Sequence, residues 1–121
     1  MAIFIDRLTA GKSVTIFGDG EQERDFVYVA DVVAALLAAA ASDGGGTYNV
    51  GTGVATSVNT LWERCKAVSG SQAEATHAEP RAGDLRRSVL DPGRAKVELG
   101  WQPEHDVENG LRRTWAWASS R

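Results

Sequence analysis

Residues Ile16 to Val33 read IFGDGEQERDFVYVADVV, and the class of the fold turns on how this stretch is parsed. The residues SVTIFG, from Ser13, alternate as a short strand does and end in the turn Gly18-Asp19-Gly20. Phe26-Val27-Tyr28-Val29 reads as a second extended piece, and Asp31 is placed to cap an alanine-rich helix from about Val32 to Ala41. Strand, glycine turn, strand and helix in one short stretch point to an α/β or α+β chain. Arg24-Asp25 stands where the acidic loop meets the apolar run. Two readings of that dipeptide are open: an ion pair closing a turn, or an anion-binding arginine held at the mouth of a site.

Outward from this stretch, helices and strands keep alternating. MAIFIDRLTAGK puts Phe4 and Leu8 on one helical face with Gly11 as a C-cap, and nothing ahead of Met1 caps the start. A chain that opens inside a helix is the pattern expected of a truncated or rearranged gene. Asp43-Gly44-Gly45-Gly46 stops the alanine-rich helix, and TYNVG, from Thr47, reads as a compact strand. A helix opening at Ser57 carries Val58, Leu61, Trp62, Cys65 and Val68 on one face and ends at Gly70. SQAEATHAEP is expected as an edge strand and RAGDLRRSVLD as a polar loop. Asp91 as N-cap, Pro92 at the first helical position and Gly100 past the last turn bound the next helix. LGWQP is a turn, and Asp106 caps a final helix with Val107, Leu111, Trp115 and Ala118 facing inward.

The 121 residues are enough for one domain. Thirteen basic residues against 16 acidic give a net charge of −3, scattered along the chain, which argues against nucleic-acid binding and a polybasic membrane anchor. The longest apolar run, Val32 to Ala41, is far short of a membrane span, and no secretory signal is visible. Cys65 is the single cysteine, so no intrachain disulfide can form and a reducing compartment, the cytoplasm, is expected.

Three glycine-rich elements invite comparison with phosphate cradles. VGTGVAT, from Val50, has a strand before it and a helix after it, yet Thr56 stands where the third glycine of a dinucleotide fingerprint belongs. It therefore reads as a turn, as do Gly18-Asp19-Gly20 and Gly44-Gly45-Gly46. His77 and His105 lie far apart without cysteine partners at ligand spacing, so no metal site is expected. Cys65 shares an apolar helical face with Trp62 and reads as core. Trp62 and Trp115 also read as core, Trp101 as folding back onto the helix it follows, and Trp117 as exposed. The remaining chemistry is arginine: Arg24 at its junction, and Arg81, with Asp84 three positions on. Two planar guanidinium forks converging on one point would suit a pyrophosphate, with surface ion pairs as the plain alternative.

Taken together, TIFGDGEQERDFVYVADVV, YNVGTG, RAGDLRRSVLDPGRAKVELGWQP and VENGLRRTWAW resemble, in this order, the C-terminal part of the extended short-chain dehydrogenase/reductases. The likeness is greatest to nucleotide-sugar epimerases and dehydratases of the UDP-glucose 4-epimerase type, and it covers nearly the whole chain. It implies an α/β (α+β) fragment: residues 1–121 as a nucleotide-sugar-binding C-terminal domain lacking the N-terminal Rossmann half. By this resemblance Arg24 and Arg81 would contact the diphosphate and Asp84 the ribose hydroxyls, while Thr15 and Phe17 lie on the strand beside the nucleobase. Asp25 would hold either backbone or guanidinium in place.

The sequence also departs from that family. Tyr28 is followed four residues later by Val32, and Tyr48 by Thr52, so the Y-x-x-x-K acid/base pair is absent, as is the G-x-x-G-x-x-G loop. No catalytic residue and no cofactor are expected from this chain, with NAD arriving only with a Rossmann half. Two functions follow: the UDP- or dTDP-sugar-binding portion of an epimerase/dehydratase, or a non-catalytic interaction module keeping the fold as an oligomerising scaffold. Apolar faces without a Rossmann sheet to cover them predict a homo-oligomer or a Rossmann-domain partner.

Overall fold

The computed structural model describes residues 1–121. In chain order the elements are α1 (Ala2–Thr9), β1 (Val14–Phe17), β2 (Glu23–Arg24), α2 (Val29–Ala40), β3 (Thr56–Ser57), α3 (Val58–Ser69), β4 (Ala75–Ala78), β5 (Arg87–Ser88), α4 (Gly93–Leu99) and α5 (Val107–Ser119). Helices form where apolar spacing and local caps coincide. The Ser57 hydroxyl accepts from the Thr60 N–H at 3.1 Å to start α3, and Gly70 ends it in the left-handed region. Asp106 accepts from the Asn109 N–H at 2.7 Å to start α5. Each such cap satisfies one of the donors that a helix N-terminus leaves unpaired.

The inner faces of α1, α3 and α5 close over β1 in one core. Phe4 meets Trp62 edge-on with ring centroids 5.2 Å apart, and Leu61, Cys65 and Leu111 are the most deeply enclosed side chains. Truncating either leucine to alanine would cost about 2–5 kcal/mol by transfer and cavity together. A smaller cluster of Ala35, Ala95 and Trp101 joins α2 to α4. There Trp101 turns back after Gly100, and its indole N–H donates to the Asp31 carbonyl at 2.9 Å.

Two small sheets carry the loops. β1 and β4 run parallel in register from Val14 opposite Ala75 to Phe17 opposite Ala78. β2 is central in the other sheet, antiparallel to β3 and parallel to β5. The segments after Phe17 and after Ala78 consequently leave from the same end of a parallel pair. The carboxyl end of parallel strands is where α/β sheets place their crevices.

Five expectations are corrected. Phe26–Val29 forms no ladder: the paired residues are Glu23 and Arg24, Phe26 packs on the core, and Val29 already starts α2. A short apolar run does not by itself distinguish strand from buried connection. Asp31 is not the N-cap of α2, a place taken by Tyr28 without a side-chain bond; it lies in the first turn, buried. Thr47–Val50 is likewise outside any ladder and is tied by side chains to α4 and the segment before it, Tyr48 Oη donating to Glu98 at 2.9 Å and Asn49 Nδ2 to the Asp91 carbonyl at 3.2 Å. RAGDLRRSVLD is not wholly loop, since Arg87–Ser88 adds β5 to the sheet edge. The start of α4 moves one residue on: Pro92 occupies the cap, and Asp91 accepts from the Gly93 N–H at 2.8 Å.

Candidate functional site

The side chains of Arg24 and Asp25 part company. Successive residues of an extended segment point to opposite faces, so the dipeptide serves two places at once. Arg24 donates through Nη2 to Asp84 Oδ1 at 2.5 Å and through Nη1 to the carbonyls of Glu23 and Leu85 at 2.7 Å each. Asp25 turns to the loop Gly51-Thr52-Gly53, accepting from the Thr52 N–H at 2.9 Å, its hydroxyl at 2.6 Å and the Gly53 N–H at 2.9 Å. The Leu90 N–H adds a fourth donor at 3.3 Å. Of the two ways Asp25 could serve, it holds backbone and not the guanidinium.

This geometry settles the reading of VGTGVAT as a turn. Its amides do gather around an anion, but the anion is the Asp25 carboxylate. A Cβ on Gly51 would stand 2.6 Å from Asp25 Oδ2, so the glycine is required by close approach. Burial pushes the Asp25 carboxyl up, but the Thr52 hydroxyl and the surrounding N–H donors outweigh it and hold the group below its ordinary value.

On the opposite side, a polar cleft of about 410 Å³ opens at the common end of β1 and β4. One wall is Phe17, Gly18, Asp19 and Gln22; the other runs from Ala78 through Arg81 and Asp84 to Arg86. The Arg81 guanidinium lies over the Phe17 ring, 4.1 Å from its centroid. Asp84 receives Arg24 on one oxygen and Gln22 Nε2, at 3.4 Å, on the other. Gln22 Nε2 also donates to the Phe17 carbonyl at 3.0 Å, so that with its bond to Asp84 it ties the two walls. Arg86 Nη1 reaches both Asp19 oxygens, at 2.8 and 3.0 Å. The bond from Arg86 holds the Asp19 carboxyl below its ordinary value, with the Glu21 N–H adding to it. A guanidinium fork stacked on an aromatic face can grip phosphate oxygens next to a planar base.

Of the sequence-derived residues, Phe17, Arg81 and Asp84 line this cleft together. Arg24 stands behind Asp84 and reaches the cleft only through it. Thr15 shares the exposed face of β1 with Phe17 but lies two residues back, its hydroxyl 3.5 Å from that of Thr76. The sequence reading missed Asp19, Gln22 and Arg86. Asp19 and Arg86 are 67 positions apart, and only the pairing of β2 with β5 brings them together.

Three other features bear on chemistry. A larger, mostly apolar groove of about 520 Å³ runs between Phe26–Val29 and α5, with Asp106 and Arg113 as its charged groups. The buried Asp31 carboxylate receives the His105 backbone N–H at 3.1 Å and faces its Nδ1 at 2.8 Å. Its carboxyl is raised by burial but lowered more by these bonds, His105 first among them. Cys65 is enclosed, and burial pushes its thiol up to about 11. No group of three or more His, Cys, Asp or Glu side chains converges as a metal site, and no helix is long and apolar enough to cross a membrane.

The fold is that of the C-terminal part of an extended short-chain dehydrogenase/reductase. Residues 1–51 match the NAD dependent epimerase/dehydratase family. The UDP-glucose 4-epimerase of Mycolicibacterium smegmatis is 46% identical over 115 residues, covering 94% of this chain and 37% of that protein. The chain belongs to that family. The structure of a UDP-glucose 4-epimerase with UDP-glucose from Thermotoga maritima superposes with a TM-score of 0.92 at 45% identity, over 96% of this chain and 38% of that one. A UDP-N-acetylglucosamine 4-epimerase from Methanobrevibacter ruminantium M1, in complex with UDP-N-acetylmuramic acid, gives 0.91 at 35% identity over 97% and 38%. The chain thus spans less than two fifths of the length of these relatives and matches their C-terminal part.

Proposed function

We propose that residues 1–121 are the nucleotide-sugar-binding domain of an NAD-dependent epimerase/dehydratase, taking the diphosphate of a UDP- or dTDP-sugar into the polar cleft. The observation that carries this is the meeting, at one end of a parallel strand pair, of Arg81 and Asp84 with Phe17, and of Arg24 through Asp84. In this reading Arg81 serves the diphosphate directly and Arg24 from behind, by holding and neutralising Asp84; Asp84 serves the ribose hydroxyls, and Phe17 with Thr15 the strand beside the base. Relatives of like fold that are named with UDP-glucose and UDP-N-acetylmuramic acid support the ligand class.

The chain is not catalytic on its own in this reading. Neither tyrosine has a lysine four residues on, and the residues present do not fit a dinucleotide: the amides of the Gly51–Gly53 loop are already taken by Asp25. NAD and the acid/base pair would come with a Rossmann half. The single buried cysteine supports a reducing, cytoplasmic setting.

Calorimetric titration with UDP, dTDP and their glucose conjugates tests the site. Binding in the micromolar to low-millimolar range is expected. Arg81→Ala should weaken it by one to two decades, since a charge-assisted bond contributes about 1.5–3 kcal/mol, and Arg24→Ala should weaken it too, by leaving the Asp84 carboxylate unpaired in the cleft. Affinity unmoved by either substitution overturns the assignment.

One observation favours a second reading, an oligomerising scaffold. The outer face of α2 carries Val29, Val33, Leu36 and Leu37 at 65, 49, 64 and 67% exposure. Nothing in this chain covers these side chains, and over half the length of the relatives has no counterpart here. A second copy of the chain is the occupant proposed for that face when no Rossmann half is present.

A further inference from the structure

Resting on the diphosphate reading above, we infer that Arg86 is a positioning residue that sets the charge of the cleft by neutralising Asp19 beside the ligand. Three carboxylates, Asp19, Glu79 and Asp84, line the cleft, and the guanidiniums that line or back it are Arg24, Arg81 and Arg86. The site is balanced only because Arg86 is among them. A nucleoside diphosphate brings at least two negative charges to this balance. Without Arg86 the ligand would meet a net negative lining, with Asp19 unmatched at the mouth.

The ion pair is not what holds either wall in place. The Glu21 N–H donates to Asp19 Oδ1 at 2.9 Å, fixing the carboxylate within its own turn. The Glu23 N–H donates to the Arg86 carbonyl at 2.9 Å, fixing the other backbone at the start of the β2–β5 ladder. Gln22 and the bond from the Gly18 N–H to the Ala78 carbonyl, 2.8 Å, already join the walls. Arg86 and Asp19 are also well exposed, at 67 and 58% of their side chains, where an isolated pair contributes little to stability. What remains for the pair is electrostatic: one guanidinium nitrogen shared between both oxygens neutralises a carboxylate beside the place of the phosphates.

A charge-setting role and a mechanical strap predict opposite signs. Wild type, Arg86→Ala, Asp19→Asn and the double variant are titrated with UDP and with uridine, at low salt and again at high salt. Asparagine keeps the acceptor for the Glu21 N–H, and a thermal melt of each variant checks the fold. Arg86→Ala should weaken UDP about 5- to 20-fold at low salt, and Asp19→Asn should strengthen it by a similar factor. The double variant should return to within about threefold of wild type, high salt should shrink every difference, and uridine should respond to none of them. Loss in both single variants for UDP and uridine alike would make the pair a strap and overturn the inference. So would an Arg86→Ala protein that binds UDP as wild type does. A wild-type chain that binds no UDP at all removes the diphosphate reading, and the inference with it.

Discussion

Asp25 illustrates how one side chain can fix a loop. Its carboxylate gathers the N–H groups of Thr52, Gly53 and Leu90 and the Thr52 hydroxyl. Asp25→Ala would leave those donors unmatched at a cost of about 1–3 kcal/mol, read as a lower urea midpoint. Gly51→Ala should cost a similar amount, because the added methyl would sit 2.6 Å from Asp25 Oδ2. The sign of the pH dependence follows from the depressed carboxyls of Asp25 and Asp31. Their contribution is complete above the ordinary value of 3.8 and is lost as pH falls below it, through the lowered folded values. Urea titrations stepped from about pH 6 to about pH 3 should show a steeper loss for wild type than for Asp25→Asn. A parallel pH profile for the two proteins would deny Asp25 this part. Cys65, with its thiol raised to about 11 by burial, should resist alkylation near neutral pH until the chain is unfolded.

Elements were legible where their signals are local. Ser57, Gly70, Asp106 and Gly100 mark the ends of α3, α5 and α4 by groups within a turn of the boundary. Ser57→Ala and Asp106→Ala should each cost about 1 kcal/mol, and in combination the losses should add, since the caps share no partner. A change of under a few tenths in urea unfolding would mean that the caps are not used. Phe26–Val29 and Thr47–Val50 were misread for a common reason. Their composition favours strand, but a strand exists only through a neighbour, and the neighbours available pair with Glu23 and Arg24 instead. Asp31 was misread because its partner, His105, lies 74 residues away. The cleft follows the same rule: motif context pointed to Arg81, Asp84 and Phe17, whereas Arg86 and Asp19 meet only through a two-residue ladder that no sequence pattern marked.

At the scale of the whole molecule, two surfaces divide the work. The cleft lies at the carboxyl end of the β1–β4 pair, and its chemistry is arginine and carboxylate. The outer face of α2 is aliphatic, with Val33, Leu36 and Leu37 among its exposed side chains. A run of aliphatic residues at helical spacing on the water side runs against the usual pattern, in which the apolar stripe of a surface helix faces the core. The inner stripe of α2 is already used, Ala35 packing with Ala95 and Trp101. The outer stripe therefore has burial still to gain, about 25 cal/mol for each Å² removed from water. At tens of micromolar, light scattering should accordingly report a species heavier than the 12.9 kDa chain. Leu36→Glu with Leu37→Glu should return it to that mass without lowering the melting temperature, because neither side chain belongs to the core. Both glutamates would face water in the monomer and be buried unpaired in the assembly, a penalty that falls on association alone. A wild-type chain that is already a monodisperse monomer would remove the scaffold reading and leave the cleft as the surface that accounts for the fold.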